Sequence, residues 1–435
     1  MKVIPLISSS FTINSSGHLT LGGCDVTRLA AQYGTPLYVL DEAVIRANCR
    51  EFKRLMDQYY GGGLVCYAGK AMCCKEICRI MAEEGMGFDV VSGGELFTAL
   101  QAGFPPERIL FHGNNKTKSE LIMALEHGVG RIIVDNADEL ELLNTLAKER
   151  GQTPQIMLRI KPGVEAQTHE FVQTGQIDSK FGVDLNSGEA MALVKASLAM
   201  SNISLCGLHC HIGSQIFDIA PFVLAAERMM EFIAQIKRET GISIGQLNLG
   251  GGFGIPYTKE DTPMDFPTLF EQVSTVVKEQ ARRHNIDLPA ILVEPGRAII
   301  GPAGITLYTV GTVKEIPHVR AYAAVDGGMT DNPRYILYQS NYTAMVANKA
   351  NQPADFKTTI AGRCCESGDL LQEHILLQKP EVGDILAVLH TGAYNFSMSM
   401  RYNRIPNPAV VMVNNGTSRV IVNRETYEDI VRHDV

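Results

Sequence analysis

Short apolar runs alternate with longer amphipathic stretches between residues 63 and 294. Apolar runs of this length, bounded by turn residues and followed by helical periodicity, are typical of βα units that build a parallel sheet. Eight units within about 230 residues favour a TIM (β/α)8 barrel, an α/β fold, over an open sheet. The predicted strands are Leu64–Ala68, Phe88–Val91, Ile109–Phe111, Arg131–Val134, Gln155–Ile160, Ile203–His211, Gln246–Leu249 and Ala290–Glu294.

Two of the predicted helices carry a signal for their first residue. Ser92 precedes Glu95 by three positions, and Thr117 precedes Glu120 by the same spacing. In a capping box the hydroxyl accepts from the third helical N–H while the glutamate accepts from the N-cap N–H. We therefore predict that helices begin directly after Ser92 and Thr117.

Two regions flank the predicted strands. The run Pro36–Leu40 and a helical stretch over 42–56 are expected to cover the bottom of the barrel, so that the barrel domain spans 36–296. After Arg297 short alternating runs separated by Gly, Pro and Asn indicate a mostly β domain. These runs are Ile305–Val310, Arg320–Val325, Ile385–Leu389 and Val410–Val413. Residues 11–35 are expected to add a strand to the β domain, which then comprises 11–35 plus 297–435.

Composition narrows the class of protein. The 435 residues are 45% hydrophobic and 20% charged, as in ordinary globular proteins. The net charge of −8, without a basic cluster, argues against nucleic acid and anionic membranes as partners. The run Val3–Ile7 is too short for the core of a signal peptide, and no stretch of about 18 apolar residues occurs. We predict a cytoplasmic protein.

The ten cysteines indicate free thiols and no metal site. The adjacent pairs Cys73-Cys74 and Cys364-Cys365 do not suit a disulfide framework. Two cysteines and two histidines lie close together in the sequence, at Cys206, His209, Cys210 and His211. They lack the second ligand pair of a structural zinc site.

Candidate chemistry lies where the predicted strands end, because the active sites of such barrels are built there. Lys70 follows the first strand and has an apolar sequence around it, which would desolvate the amine partly and favour a Schiff base. A solvated lysine at a strand end is the simpler alternative. The glycine cluster Gly250–Gly254 suits a phosphate loop but also suits a tight turn.

Glu294 and His211 also end predicted strands. The buried carboxylate of Glu294 needs a partner, which is either Arg297 or the ring nitrogen of a ligand. His211 is interpretable as a core histidine, a zinc ligand or a flat group that stacks on a ring. Pyridoxal phosphate requires an amine, an acid, a flat neighbour and a phosphate cradle together, and so it accounts for Lys70, Glu294, His211 and the glycine cluster at once.

At this point the chain resembles the diaminopimelate decarboxylase family, from about Gly17 to the C-terminus. Single motifs are shared with ornithine, arginine and carboxynorspermidine decarboxylases, so the resemblance depends on their number and order. The motifs are Tyr67–Ala71, Gly87–Leu96, His112–Lys116, Ser179–Gly182, His209–Ser214, Leu249–Gly254, Glu294–Arg297, Asp326–Met329, Cys365–Asp369 and Gly392–Tyr394.

The resemblance implies a fold-type III enzyme with a barrel and a β domain, in which pyridoxal 5'-phosphate is the cofactor. Lys70 would form the Schiff base, His211 would stack on the ring, and Glu294 would face the ring nitrogen. The phosphate would be held by Ser214, Gly251, Gly252 and the backbone of Glu294, Pro295, Gly296 and Arg297, with Tyr394 nearby.

The implied reaction is the decarboxylation of meso-2,6-diaminopimelate to L-lysine and CO₂, the last step of lysine biosynthesis. The family's substrate-binding positions correspond to Arg297, Arg334, Tyr338, Glu366 and Tyr394. Cys365 corresponds to the proposed proton donor, supplied across a homodimer interface with shared active sites. Met72 and Gly69 depart from the family pattern without changing a site residue.

Three alternatives remain. A related decarboxylase could act on basic amino acids or carboxynorspermidine. A non-catalytic relative would typically lack the lysine that stands at position 70. A zinc hydrolase would use His209 and His211, but that class places the His-x-His pair on the first barrel strand rather than the sixth. Glutamate at 294 favours a decarboxylase over a racemase of the same fold, which has arginine there.

Overall fold

The computed structural model describes residues 10–164 and 179–435, and the run Val3–Ile7 lies outside this part. Among these residues no helix combines the length and the apolar character needed to cross a membrane. The strands in chain order are β1 (Phe11–Ile13), β2 (Leu19–Leu21), β3 (Cys24–Asp25), β4 (Leu37–Asp41), β5 (Leu64–Ala68), β6 (Gly87–Val90), β7 (Ile109–Phe111), β8 (Arg131–Val134), β9 (Gln155–Lys161), β10 (Val183–Asp184), β11 (Ser204–His209), β12 (Gln246–Asn248), β13 (Ala290–Val293), β14 (Gly304–Ile316), β15 (Arg320–Val325), β16 (Ala344–Val346), β17 (Phe356–Ala361), β18 (Leu370–Leu377), β19 (Ile385–Leu389), β20 (Ala409–Asn414) and β21 (Thr417–Val422).

The same residues form α-helices that mostly follow the strands of the first half of the chain. They are α1 (Val26–Tyr33), α2 (Glu42–Tyr59), α3 (Lys75–Glu83), α4 (Gly93–Gln101), α5 (Lys118–Glu126), α6 (Ala137–Arg150), α7 (Glu189–Ala199), α8 (Ala220–Thr240), α9 (Phe266–His284), α10 (Arg297–Ile300), α11 (Arg334–Tyr338) and α12 (Tyr427–Val431).

One compact unit, Cys49–Gly254 with Pro263–Gly296, is a closed parallel barrel. Its strands pair in the order β5, β6, β7, β8, β9, β11, β12 and β13, and β13 pairs with β5 to close the ring. All eight predicted strands are present, so the predicted TIM barrel is confirmed. The short strand β10 adds to β9 and had no signal in the apolar pattern.

Apolar side chains fill the interior of the barrel. One buried cluster joins five strands of the barrel and consists of Cys66, Leu110, Ile133, Met157 and Leu292. Alternate residues of a barrel strand point inward. Because this cluster is apolar, we expect the polar residues that point inward at the carboxyl ends of the strands.

The two predicted helix starts differ in their detail. At Thr117 the complete capping box is present, with Glu120 accepting from the Thr117 N–H at 2.9 Å. At Ser92 the hydroxyl accepts from the Glu95 N–H, but the Glu95 carboxylate accepts from the N–H of Val91 at 2.7 Å. The helix therefore begins directly after Ser92 as predicted, but the Glu95 carboxylate accepts from the residue before the N-cap and not from the N-cap itself.

The other unit comprises the described residues up to Asn48, Ile255–Thr262 and Arg297–Val435. Its main sheet has the strand order β18, β17, β15, β14, β4, β20 and β21, with β19 paired to both β14 and β16. The predicted mostly β domain is thus confirmed. Strands β1, β2 and β3 form a separate three-stranded sheet rather than adding a strand to the main one. Their apolar residues, such as Phe11 and Leu21, share a buried cluster with Val39, Leu307 and Val411.

The expected boundary of 36–296 needs correction. Strand β4 pairs antiparallel with β14 and parallel with β20, so it lies inside the main sheet of the β unit and belongs to that unit rather than to the barrel unit. All five of its residues are buried, as expected for a central strand. Apolar residues on both faces identify a buried strand, but they do not indicate which sheet contains it. The segment Ile255–Thr262, expected within the barrel, also belongs to the β unit.

Candidate active site

Charged and polar residues gather at the carboxyl ends of the barrel strands. Asp89 lies on β6, His112 follows β7, His209 ends β11, Asn248 ends β12 and Glu294 follows β13. All five are at least nine-tenths buried. Since the carboxyl ends of parallel barrel strands meet at one face, strand order alone brings these side chains together.

The carboxylate of Glu294 is the centre of this group. The Asn248 amide donates to its Oε1 at 2.6 Å. On the same oxygen, Nε2 of His112 lies at 3.1 Å, while Nε2 of His209 lies 3.3 Å from Oε2. The carboxylate therefore has three neighbours that can donate a proton and no lysine or arginine among them.

The charge state of Glu294 follows from these neighbours. Burial lowers the pKa of His209 to about 4 and also lowers the pKa of His112, so both rings are neutral at neutral pH. Burial opposes ionisation of Glu294, but the contacts with His112 and His209 outweigh it and hold the pKa of Glu294 well below its usual range. The result is an anion whose direct contacts are the side chains of His112, His209 and Asn248. The Arg159 cation also interacts with it electrostatically.

Asp89 responds in the opposite direction. Burial, and then the negative charge of Glu294, raise the pKa of Asp89 well above its usual range. The pKa values of these two carboxyl groups are therefore shifted in opposite directions, as is common where acids differ in their role.

Lys70 lies in the first turn after β5. Its side chain is exposed, so the partial desolvation expected from its apolar sequence neighbours is not observed. Its positive charge nevertheless acts on Asp89, Glu95 and His211. The amine is thus accessible and belongs to the same end of the barrel.

His211 is held in one tautomer. Its Nδ1 accepts from the Gly251 N–H at 3.2 Å, so the remaining proton sits on Nε2. Burial, and then the charge of Lys70, hold the pKa of His211 well below its usual range. The ring is consequently neutral and its plane is fixed by the backbone of the glycine cluster.

The glycine cluster allows three strand-end loops to approach each other closely. A Cβ on Gly251 would lie 2.1 Å from the carbonyl oxygen of Glu294, and one on Gly252 would lie 2.4 Å from that of Gly213. Gly252 also has a φ of +104°, which L side chains rarely adopt. Ser214 is half-buried in one of these loops. The Gly251 N–H is donated to Nδ1 of His211.

The segment after Glu294 packs against the first strand. Pro295 accepts from the Ala68 N–H at 3.3 Å. A Cβ on Gly296 would lie 3.0 Å from the Ala68 Cβ and 3.1 Å from the carbonyl oxygen of the same residue. Pro295 and Gly296 are thus placed beside the strand that leads to Lys70.

The β unit contains a second polar cluster, formed by arginine and tyrosine. Arg297 and Arg334 are each 6% exposed, and both donate to the hydroxyl of Tyr257, at 2.7 and 3.2 Å. The ring of Tyr394 lies 4.7 Å from the guanidinium of Arg297 and 5.2 Å from that of Arg334. The ring of Tyr338 lies 5.6 Å from the guanidinium of Arg334.

Arg334 lacks an acidic partner. Its described hydrogen bonds go to Tyr257 and Ser340, and no carboxylate in the described chain pairs with it. Its Nε is buried and has no acceptor among the same residues. A buried guanidinium without a counter-charge is costly, and an anionic ligand would remove that cost.

Cys365 and Glu366 lie on an exposed loop of the β unit. The buried Asp369 holds the base of this loop by accepting from the N–H groups of Met329 and Cys364, at 2.6 and 2.7 Å. The Cys365 N–H donates to Asn403 at 2.8 Å. The side chains are therefore presented at the surface of the chain on a backbone that is well fixed.

Several residues of these clusters had no role assigned from sequence. His112 was part of a family motif only, Asn248 lay within a predicted strand, and Tyr257 followed the glycine cluster without a signal of its own. His209 was considered with His211 as a zinc pair, but it faces His112 and Glu294 instead. The ligand atoms of His112, His209 and Glu294 lie within 4.8 Å of one another, a spacing that a metal ion could also use.

Comparison with known proteins defines the class. The family described as pyridoxal-dependent decarboxylase, pyridoxal binding domain, matches residues 42–301, which is more than half of the chain. This region holds Lys70, the glycine cluster and Glu294.

Individual relatives narrow the class further. The chain is 52% identical to diaminopimelate decarboxylase of Bacillus subtilis, over 97% of this chain and 96% of the relative. Identity to the enzyme of the same name from Bacillus methanolicus is 49%, over 95% and 96%. A crystal structure of diaminopimelate decarboxylase from M. jannaschii in complex with L-lysine matches with a TM-score of 0.90 and 36% identity, covering 98% of both chains. The chain belongs to the diaminopimelate decarboxylase family.

Proposed function

We propose that this chain decarboxylates meso-2,6-diaminopimelate to L-lysine and CO₂ with pyridoxal 5'-phosphate as cofactor, the last step of lysine biosynthesis. The observation that carries the proposal is the environment of Glu294. A carboxylate has about four acceptor positions; Asn248 and His209 use two of them, and Nε2 of His112 lies 3.1 Å from Oε1. One position on Oε2 remains for a cationic donor such as a protonated pyridine nitrogen.

The other residues at this end of the barrel fit the same cofactor. Lys70 offers an accessible amine for its aldehyde, and His211 offers a neutral ring of fixed orientation for stacking. The backbone contacts of Gly251 and Gly252 leave no room for side chains, as a phosphate cradle requires. We assign Ser214, Pro295, Gly296 and the backbone of Arg297 to this cradle as well, with Tyr394 nearby.

Pyridoxal phosphate, when bound, accepts the electron pair left by the departing carboxylate. Glu294 contributes by keeping a negative charge beside the ring nitrogen, which holds the proton there. His112, His209 and Asn248 contribute by fixing both oxygens of Glu294. Lys70 provides the covalent attachment point and, with Cys365, a group that can return a proton to the reacting carbon.

The β unit supplies recognition of the substrate end that does not react. Arg297 and Arg334 pair with the distal carboxylate, Tyr338 and Tyr394 pack beside them, and Glu366 pairs with the distal ammonium. Lysine or ornithine as a substrate has only the ammonium at that end. Such a substrate would leave the buried guanidinium of Arg334 without an anion.

The same proposal includes a cytoplasmic homodimer with shared active sites. Its support is the family resemblance of the Cys365–Asp369 motif and the exposure of Cys365 and Glu366, which suits residues that act on a partner chain.

The decisive experiment compares CO₂ release from meso-diaminopimelate, lysine, ornithine, arginine and carboxynorspermidine with purified, cofactor-loaded protein. We expect kcat/KM for diaminopimelate to exceed the others by about a hundredfold or more, since an unpaired buried charge costs several kcal/mol. Comparable kcat/KM for another substrate would contradict the substrate assignment. Visible absorption of the loaded protein reports the cofactor separately.

A further inference from the structure

The hydroxyl of Tyr257 has an unusual set of partners. A phenol has two acceptor lone pairs and one O–H donor. Both lone pairs are used, because Nη1 of Arg297 donates to this oxygen at 2.7 Å and Nη1 of Arg334 at 3.2 Å. The proton of the hydroxyl has no acceptor among the residues that the structure describes, and Tyr257 is only 6% exposed.

The position of Tyr257 is rigid. Its carbonyl accepts from the N–H and the hydroxyl of Thr343, at 3.2 and 2.9 Å, and its N–H donates to Asp261 at 2.8 Å. Its ring packs edge-on against Tyr342 with a centroid distance of 5.0 Å. The hydroxyl is thus held in place from both sides of the residue.

Three donors therefore converge: the two guanidinium groups and the O–H of Tyr257. Among the described residues no carboxylate pairs with Arg334 or accepts from the O–H of Tyr257, and Nε of Arg334 is a further buried donor that lacks an acceptor there. Two neighbouring cations on its oxygen also polarise the O–H toward donation. A neutral ligand could not accept from all of these groups while balancing the charge, whereas a carboxylate could.

We propose that Tyr257 is a third binding residue for the distal carboxylate and a determinant of substrate specificity, an inference that rests on the proposed function. The lone pairs of Tyr257 accept hydrogen bonds from both guanidinium groups, and its O–H donates a hydrogen bond to the carboxylate. Recognition of the distal end then depends on the phenol of Tyr257, which lies between β12 and α9 in the sequence.

The test uses two ligands that differ by one carboxylate, L-lysine and cadaverine, and measures their binding to cofactor-loaded protein by calorimetry. For Tyr257→Phe we expect the Kd of L-lysine to rise about tenfold or more, because a hydrogen bond to a charged group is lost. The Kd of cadaverine should change less than about twofold. In turnover, KM for diaminopimelate should rise more than kcat falls.

Tyr335→Phe is the matched control, since it removes a phenol hydroxyl from the same short helix as Arg334, but one that donates to Glu373. It should leave the ratio of the two Kd values unchanged. A folded Tyr257→Phe chain with the unaltered ratio would overturn the inference. If Tyr257→Phe does not fold, Thr343→Val, which removes one anchor of Tyr257, must shift the ratio in the same direction, and an unchanged ratio overturns the inference. Absence of diaminopimelate turnover in the unaltered chain would instead contradict the proposed function.

Discussion

At the scale of single residues, the partner of Glu294 is the main departure from the sequence interpretation. Arg297 lies three positions away and was one expected partner, but its guanidinium donates to Tyr257. The contacts of Glu294 come from three other strand ends, through His112, His209 and Asn248. Proximity along the chain is a poor guide at a strand end, where neighbouring strands contribute most contacts.

Glu294→Gln is expected to retain cofactor but to lower kcat by at least about a hundredfold, since a neutral amide cannot balance a protonated ring nitrogen. Cofactor content is measured by visible absorption and kcat by CO₂ release. Glu239→Gln is the control, because Glu239 pairs with Lys195 on the surface. Normal kcat at normal cofactor content would mean that the ring nitrogen does not depend on Glu294.

Tyr257 could not have been selected from the sequence. It follows the glycine cluster closely, but nothing in the local pattern indicates that the chain leaves the barrel unit there. Lys70, Glu294 and His211, in contrast, were predictable because each comes directly after an apolar run and because the barrel rule assigns chemistry to such positions.

At the scale of elements, the barrel strands were predictable because each is a short apolar run followed by a helical pattern. Leu64–Ala68, Ile109–Phe111 and Arg131–Val134 have the expected bounds, and the other strands differ by one or two residues at their ends. Strand β4 has the same apolar character and was assigned to the wrong unit, since pairing partners distant in sequence leave no local trace.

One buried ion pair fixes the loop that follows β7, the loop that begins with His112. Nζ of Lys116 donates to Glu139 at 2.7 Å and to the carbonyl oxygens of Gly113 and Ile133 at 2.8 and 2.7 Å. Burial lowers the pKa of Lys116 and raises the pKa of Glu139, so burial opposes the ionised pair and the contacts must offset it.

Lys116→Met is therefore expected to lower the free energy of unfolding by about 3–5 kcal/mol, because it leaves a buried carboxylate without a cation. The double variant Lys116→Met with Glu139→Leu should recover much of this loss. Calorimetric unfolding midpoints provide the measurement. Lys118→Met alters an exposed lysine two residues further on and should have little effect. Equal midpoints for the single and double variants would argue against a dominant role for the pair.

At the scale of the whole molecule, the proposed homodimer makes a prediction about mixed chains. Lys70→Ala and Cys365→Ala should each be inactive, but mixing them under conditions of subunit exchange should restore up to about a quarter of normal activity. Random exchange gives hybrids in half of the dimers, and each hybrid carries one intact site of two.

Hybrids isolated through two different affinity tags provide the measurement. The control mixture is Lys70→Ala with Lys70→Arg, which share the same defect and should stay inactive. Isolated hybrids of Lys70→Ala and Cys365→Ala that remain inactive would show that both residues serve one chain's site.

The central place of β4 in the main β sheet also bears on how the chain is made. Both of its neighbours, β14 and β20, leave the ribosome only after all eight barrel strands have been synthesised. At usual synthesis rates the delay is on the order of ten seconds or more, during which the five residues of β4, four of them apolar, remain without their pairing partners. The barrel can close during translation, whereas β4 gains its first partner only with β14 and its second only with β20, almost the last part of the chain. Truncation before β20 therefore exposes an edge of β4, a known origin of aggregation.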